Sequence, residues 1–190
     1  EITGGGEPTL HPQIENIIEL CSNKAPTQMY TNGVLAGKIN NLSNLSYLCI
    51  SRAHHLDSEN KKIMGIDYNI HELLDKSPVK LSLMLCKQGI NDKDSFLDYV
   101  KWASNIGVSK VVVREIINLD ESEPKGYISM LNLLNSLELR ELSFCKNPVL
   151  DYYGVPVEFD YCSSGESKLV LRAEGLYTNF DGDKIDLNRY

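Results

Sequence analysis

The chain has 190 residues, 42% hydrophobic and 24% charged, with a net charge of -7, which describes one globular domain long enough to bury a substantial core. The acidic balance disfavours a nucleic-acid surface spread over the domain, and no apolar stretch reaches the ~18 residues of a membrane helix. Five cysteines (Cys21, Cys49, Cys86, Cys145 and Cys162) stand singly, without disulfide or metal-ligand spacing, so the expectation is a reducing cytoplasm and cysteines used as small apolar residues.

The chain opens Glu1-Ile2-Thr3-Gly4-Gly5-Gly6-Glu7-Pro8-Thr9, a short apolar entry into three glycines, then a carboxylate and a proline. Without Cβ atoms, three glycines let backbone amides approach a small polar ligand. Glu7 then offers an acceptor for an ammonium or hydroxyl, and it has little evident packing use. The plain alternative is a strand-to-helix turn whose glycines serve tight packing. Ile14, Ile17, Ile18 and Cys21 share one helical face, with Pro12 suited to a first turn.

Further strands are expected at residues 28–31, 47–51, 79–86, 110–115 and 141–145, besides 1–3. Between them, Leu35, Ile39 and Leu42 repeat a helical pattern weakly. Phe96, Tyr99, Val100, Ala103 and Ile106 make the clearest amphipathic helix, opened by Asp92 or Asp94 and stopped by Gly107. Ile128, Leu131, Leu134 and Leu137 form another. Residues 160–165 and 168–177 read as a β-hairpin with a Glu-Gly turn.

This alternation is that of βα units: an α/β fold, either an open doubly wound sheet or a partial (β/α) barrel of parallel strands with outer helices, plus a C-terminal hairpin. Both architectures put ligands at the C-terminal strand ends. There stand Gly5, Gly6 and Glu7; Thr31, Asn32 and Gly33; Ser51, Arg52, His54 and His55; Lys87 and Gln88; Arg114 and Glu115; and Lys146. Adjacent histidines lack a third partner, so His54 and His55 read as surface or substrate-facing, and Arg114 as either an ion-pair partner of Glu115 or an anion clamp.

Gly-Gly-Glu-Pro after a strand, Thr31-Asn32-Gly33 after the next, Cys49-Ile50-Ser51-Arg52, the Lys87 to Asn91 stretch and Val111 to Glu115 together resemble the core of radical S-adenosylmethionine enzymes. The ordered likeness covers about residues 1 to 145. It is closest to the group with the GTP cyclase of molybdenum-cofactor synthesis, pyrroloquinoline quinone synthesis proteins and peptide maturases.

The resemblance implies S-adenosylmethionine as cofactor, with Gly4, Gly5, Gly6 and Glu7 receiving its methionine amino end. Thr31, Asn32 and Ser51 would lie near carboxylate or ribose, while Lys87 and Arg114 would order the carboxylate or an anionic substrate. It also implies a four-iron four-sulfur cluster, an electron donor, a 5′-deoxyadenosyl radical and hydrogen abstraction from a small-molecule or peptide substrate that the residues do not name. They assign no catalytic residue either. The family's C-x3-C-x2-C cluster loop is absent from these 190 residues. The expectation is therefore a core truncated before that loop, spanning residues 1–146, followed by a strand and hairpin extension over 147–190 that shapes specificity. Such a fragment would be inactive alone and inclined to associate. Two other readings stay open: a phosphate- or sugar-binding barrel enzyme without a cluster, and a cluster-free binding module of the same fold.

Overall fold

Residues 28–31 and 47–51 pair in parallel, from Gln28 with Tyr47 to Thr31 with Ile50, and begin a six-stranded sheet. The computed structural model describes residues 1–3, 6–115, 128–139, 147–160, 170–172 and 175–177. The elements are α1 (Ile14–Ser22), β1 (Gln28–Thr31), β2 (Tyr47–Ser51), α2 (Asp57–Met64), α3 (Ile70–Leu74), β3 (Val79–Met84), α4 (Lys93–Asn105), β4 (Lys110–Arg114), α5 (Met130–Ser136), β5 (Val149–Tyr152), β6 (Val155–Asp160), β7 (Val170–Arg172) and β8 (Gly175–Tyr177).

The sheet order is β1-β2-β3-β4-β6-β5. All neighbours from β1 to β6 are parallel, and only β5 against β6 is antiparallel. This is the expected α/β architecture of parallel strands with flanking helices, and the sheet is open. The C-terminal hairpin also forms, β7 against β8, with Arg172 opposite Gly175. The expected strand at 1–3 is reduced to one parallel bridge, Ile2 with Met29, on the outer edge of β1. The expected strand at 141–145 lies outside the described residues, as do Gly4, Gly5, Lys146, Cys145 and Cys162.

β4 takes as its neighbour a strand the sequence reading passed over. In β6, Val155, Val157 and Phe159 are buried while the residues between them are not, and β5 precedes it through Tyr153 and Gly154 at φ 56° and 80°. Two consecutive positive φ angles make the tight hairpin turn whose twist matches its strands.

Helix α4 begins at Asp92, whose carboxylate accepts the Ser95 amide at 2.8 Å while the Ser95 hydroxyl accepts the Asp92 amide at 3.3 Å. It ends before Gly107 at φ 83°. Its Phe96, Tyr99, Val100 and Ala103 are buried, each large side chain contributing roughly 1.5–3 kcal/mol. In α5 the buried face is Met130, Leu133 and Leu134, and Leu131 is exposed. Of the predicted stripe Leu134 is buried and Ile128 and Leu137 pack against the core, while a strict three-residue spacing drifts around a 3.6-residue turn and leaves Leu131 outside. The weak pattern at Leu35 to Leu42 forms two 3-10 turns, Ala36–Lys38 and Leu42–Asn44, instead of an α-helix.

Register sorts the sheet into two faces. One carries Met29, Leu48, Ile50, Leu81, Val113 and Phe159, joined in a single core with buried residues of α1, α3, α4 and α5. On the other, Tyr30, Cys49, Lys80 and Lys110 form one row. Ser51, Ser82, Val112 and Glu158 form the next, and Met84, Arg114 and Asp160 the last. Cys49 and Val112 are buried there without joining the helical core. Helices on one side and polar residues on the other suit a barrel segment with an inner face better than a doubly wound sheet.

Candidate functional site at the strand ends

Glu7 is the knot of the first corner. Its Oε1 accepts from the Thr9 amide at 3.1 Å, the Thr9 hydroxyl at 2.6 Å and the Thr31 hydroxyl at 2.6 Å, and its Oε2 accepts from the Asn32 amide at 2.7 Å. These bonds cap the 3-10 turn Pro8–Leu10 and bind the glycine bend to the end of β1. Burial pushes the Glu7 carboxyl up, but hydrogen bonds from Thr31, Thr9 and Asn32 outweigh it and hold the group below its ordinary value. Glu7 therefore has a structural use the sequence reading had denied it, while Oε2, with one described donor, keeps acceptor capacity toward solvent.

The residues around it are committed in turn. Thr31 is 3% exposed, and its hydroxyl both donates to Glu7 and accepts the Gly33 amide at 3.1 Å. The Asn32 side-chain oxygen Oδ1 accepts the Val34 amide at 3.0 Å. Gly33, at φ 90°, has the Tyr68 ring 3.1 Å from where a Cβ would stand. Gly6 differs: among the described residues an added Cβ would meet nothing within 4 Å.

The second cluster lies on the polar face. The Arg114 Nε donates to Asp160 at 2.8 Å and its Nη1 to Ser82 at 3.4 Å, with the guanidinium carbon 5.4 Å from the Tyr30 ring centre. Asp160, not Glu115, is thus its described acid; the Glu115 carboxylate accepts the Met130 amide. Burial pushes the Tyr30 phenol up to about 12, and Cys49 and Glu1 add to that. Ser51 sits in register with Ser82, at the level Arg114 reaches. Lys87 is exposed on the loop after β3, where its carbonyl accepts the Asn91 side-chain amide at 2.8 Å. No described contact brings the Lys87 side chain to the other predicted residues.

Arg52 turns out to be structural. It is 2% exposed, stacks 4.6 Å over Trp102, and donates to the carbonyls of His54 and His55, both at 2.9 Å, and to Asp57 at 2.5 Å. It gathers both carbonyls in a loop where the His54 and His55 rings stack at 4.5 Å.

Among the described residues Cys21, Cys49 and Cys86 are free, and no group of three or more His, Cys, Asp or Glu is placed to hold a metal. The described residues do not fit an iron-sulfur cluster. No described helix is long and apolar enough to cross a membrane. A shallow hollow that includes Ser77 and Ser109 lies at the other end, where β3 and β4 begin. Its Lys76 is tied to Glu72 and the Gly37 carbonyl, and ligands of parallel sheets sit at the opposite strand ends.

Sequence reasoning missed Tyr30, Lys80, Ser82 and Asp160. The signal was present as polar residues at alternate positions of strands, Gln28-Met29-Tyr30 and Lys80-Leu81-Ser82, which strands buried on both faces avoid.

No protein-family model and no curated protein matches the chain. Among solved structures, the chain is similar to the crystal structure of Streptococcus suis SuiB, with a TM-score of 0.54 and 18% identity. The likeness covers 73% of this chain and 35% of that one, so this chain spans about a third of SuiB's length. At that identity it shows a shared fold.

Proposed function

We propose that this chain forms the core of a radical S-adenosylmethionine enzyme, with the Gly6-Glu7 corner seating the methionine end of the cofactor. The observation that carries the reading is the carboxylate of the Gly-Gly-Glu-Pro turn, fixed by Thr31 and Asn32 at the C-terminal end of a parallel sheet. Beside it, Gly6 opens onto free space, as a backbone that receives a ligand would. The fold shared with SuiB is compatible with it.

In this reading S-adenosylmethionine, paired with a reduced four-iron four-sulfur cluster whose thiolates the described cysteines do not supply, is the source of hydrogen-abstracting chemistry. This chain's residues bind and orient. Glu7, kept ionised by its donors, accepts an ammonium at Oε2; Thr31 holds Glu7 instead of touching the ligand; the Ser51 hydroxyl and Arg114 face the neighbouring polar surface. An ionised Glu7 also repels phosphate, which counts against a phosphate-binding barrel.

Equilibrium dialysis of the chain with S-adenosylmethionine at neutral pH tests this. Saturable binding is expected, weakened about tenfold by Glu7→Gln, as for the loss of one charge-assisted hydrogen bond. Inorganic phosphate should not compete. Absence of binding at millimolar ligand, or displacement by phosphate, would refute the assignment.

A further inference from the structure

Three cations stand on the polar face of the sheet, and two have acids of their own. Lys110 pairs with Glu158 at 2.6 Å and Arg114 with Asp160 at 2.8 Å. Lys80 is 9% exposed, and no carboxylate contacts it among the described residues. Its ammonium donates to the Gln28 side-chain oxygen at 3.1 Å and lies 5.8 and 5.9 Å from the rings of Tyr30 and Tyr47. Glu1 reaches it only through Gln28, whose amide nitrogen donates to the Glu1 carboxylate at 2.6 Å.

A buried ammonium without a contacting anion is costly, and aromatic faces offset only part of that cost. An anion arriving from outside would offset the rest. Lys80 and Arg114 stand 5.8 and 5.4 Å from the Tyr30 ring centre, on the same face of the sheet as Ser82, to which Arg114 donates. Cys49, next to Lys80 in register, adds no charge there, because burial pushes its thiol up to about 11.

We propose that Lys80 and Arg114, both beside the Tyr30 ring, form a receptor for a carboxylate monoanion carried by the substrate, with Ser82 as a further donor. The charge balance selects the monoanion. Glu158 and Asp160 neutralise two of the three cations, and a phosphate dianion would overfill the single remaining charge beside Glu1. Lys80 thereby takes the role the sequence reading assigned to exposed Lys87. The proposal rests on the preceding function only in naming the bound acid as substrate.

The test is a two-dimensional amide NMR titration of the full chain with N-acetylglycine and, separately, with N-acetylglycinamide. The acid should shift the amides of Tyr30, Lys80 and Ser82 in a saturable way that weakens with salt, and the neutral amide should leave them in place. Lys80→Met should weaken the acid about tenfold, as expected for loss of one hydrogen bond to a charged group. Equal response to acid and amide, or undiminished binding to a folded Lys80→Met chain, overturns the receptor. The wild-type comparison decides the matter if that variant does not fold. S-adenosylmethionine added last identifies the source of the carboxylate. Displacement of the acid gives the receptor to the cofactor and overturns the substrate assignment. Acid binding with no response to S-adenosylmethionine supports the receptor and refutes only the proposed function.

Discussion

The two faces of the sheet come from alternate residues of the same strands, yet they are stabilised in different ways. On the helical face, Leu81, Val113 and Phe159 are fully buried against Phe96 and its neighbours, and the contacts are apolar. On the opposite face, comparably buried positions hold Lys80, Ser82 and Cys49, and the contacts are hydrogen bonds and ion pairs. Apolar burial contributes stability directly, whereas buried charge is close to neutral or costly. The contrast separates residues that hold the fold from residues that, in the proposals above, receive a ligand.

Phe96→Ala strikes the helical face hardest. The ring lies 5.7 Å from Tyr152 and 5.9 Å from Phe159, and its loss should cost about 3–5 kcal/mol in urea unfolding. Arg52→Ala should cost about 2–3 kcal/mol, because two loop carbonyls lose their donor and Trp102 its stacked partner. Asp92→Ala, which removes the cap of α4, should cost about 1 kcal/mol. Lys80→Met should leave the urea midpoint unchanged or raise it, since an apolar side chain replaces a buried charge. A fall comparable to that of Phe96→Ala would erase the distinction between the faces.

The smallest expected effect depends on pH. Glu7 has a folded pKa depressed below its ordinary value of 4.5, so the folded state binds its proton less readily than the unfolded chain does. Its stabilisation is complete above about that ordinary value and disappears as pH falls through the depressed folded one. The stability advantage of wild type over Glu7→Gln, measured by urea unfolding at neutral pH, should therefore vanish in strong acid. An advantage that persists there would mean the carboxylate's charge is not what Thr31 and Asn32 recognise.

Much of the helical face is readable before folding. β1 and β2 match their expected bounds because apolar runs end there in Asn-Gly and Arg-Ala breaks, and α4 is announced by both its cap and its period. The polar face is less legible. Register decides which residues of separate strands meet, so nothing local joins Lys80 to Tyr30 or Arg114 to Asp160. The β5–β6 hairpin is legible in the Val155-Val157-Phe159 alternation and the Tyr-Gly turn, but its place beside β4 is set by register and has no local signal. Glu7 was identified as important for its ligand, while its contacts to Thr9, Thr31 and Asn32 appear only once the strands are side by side.

The most direct measurement is the residue map of S-adenosylmethionine binding by amide NMR on the unmodified chain. Shifts confined to Gly6, Glu7, Asn32 and Ser51 are the outcome expected if the C-terminal strand ends form the ligand seat. Shifts at Ser77 and Ser109, where β3 and β4 begin, or none at saturating ligand, would contradict it.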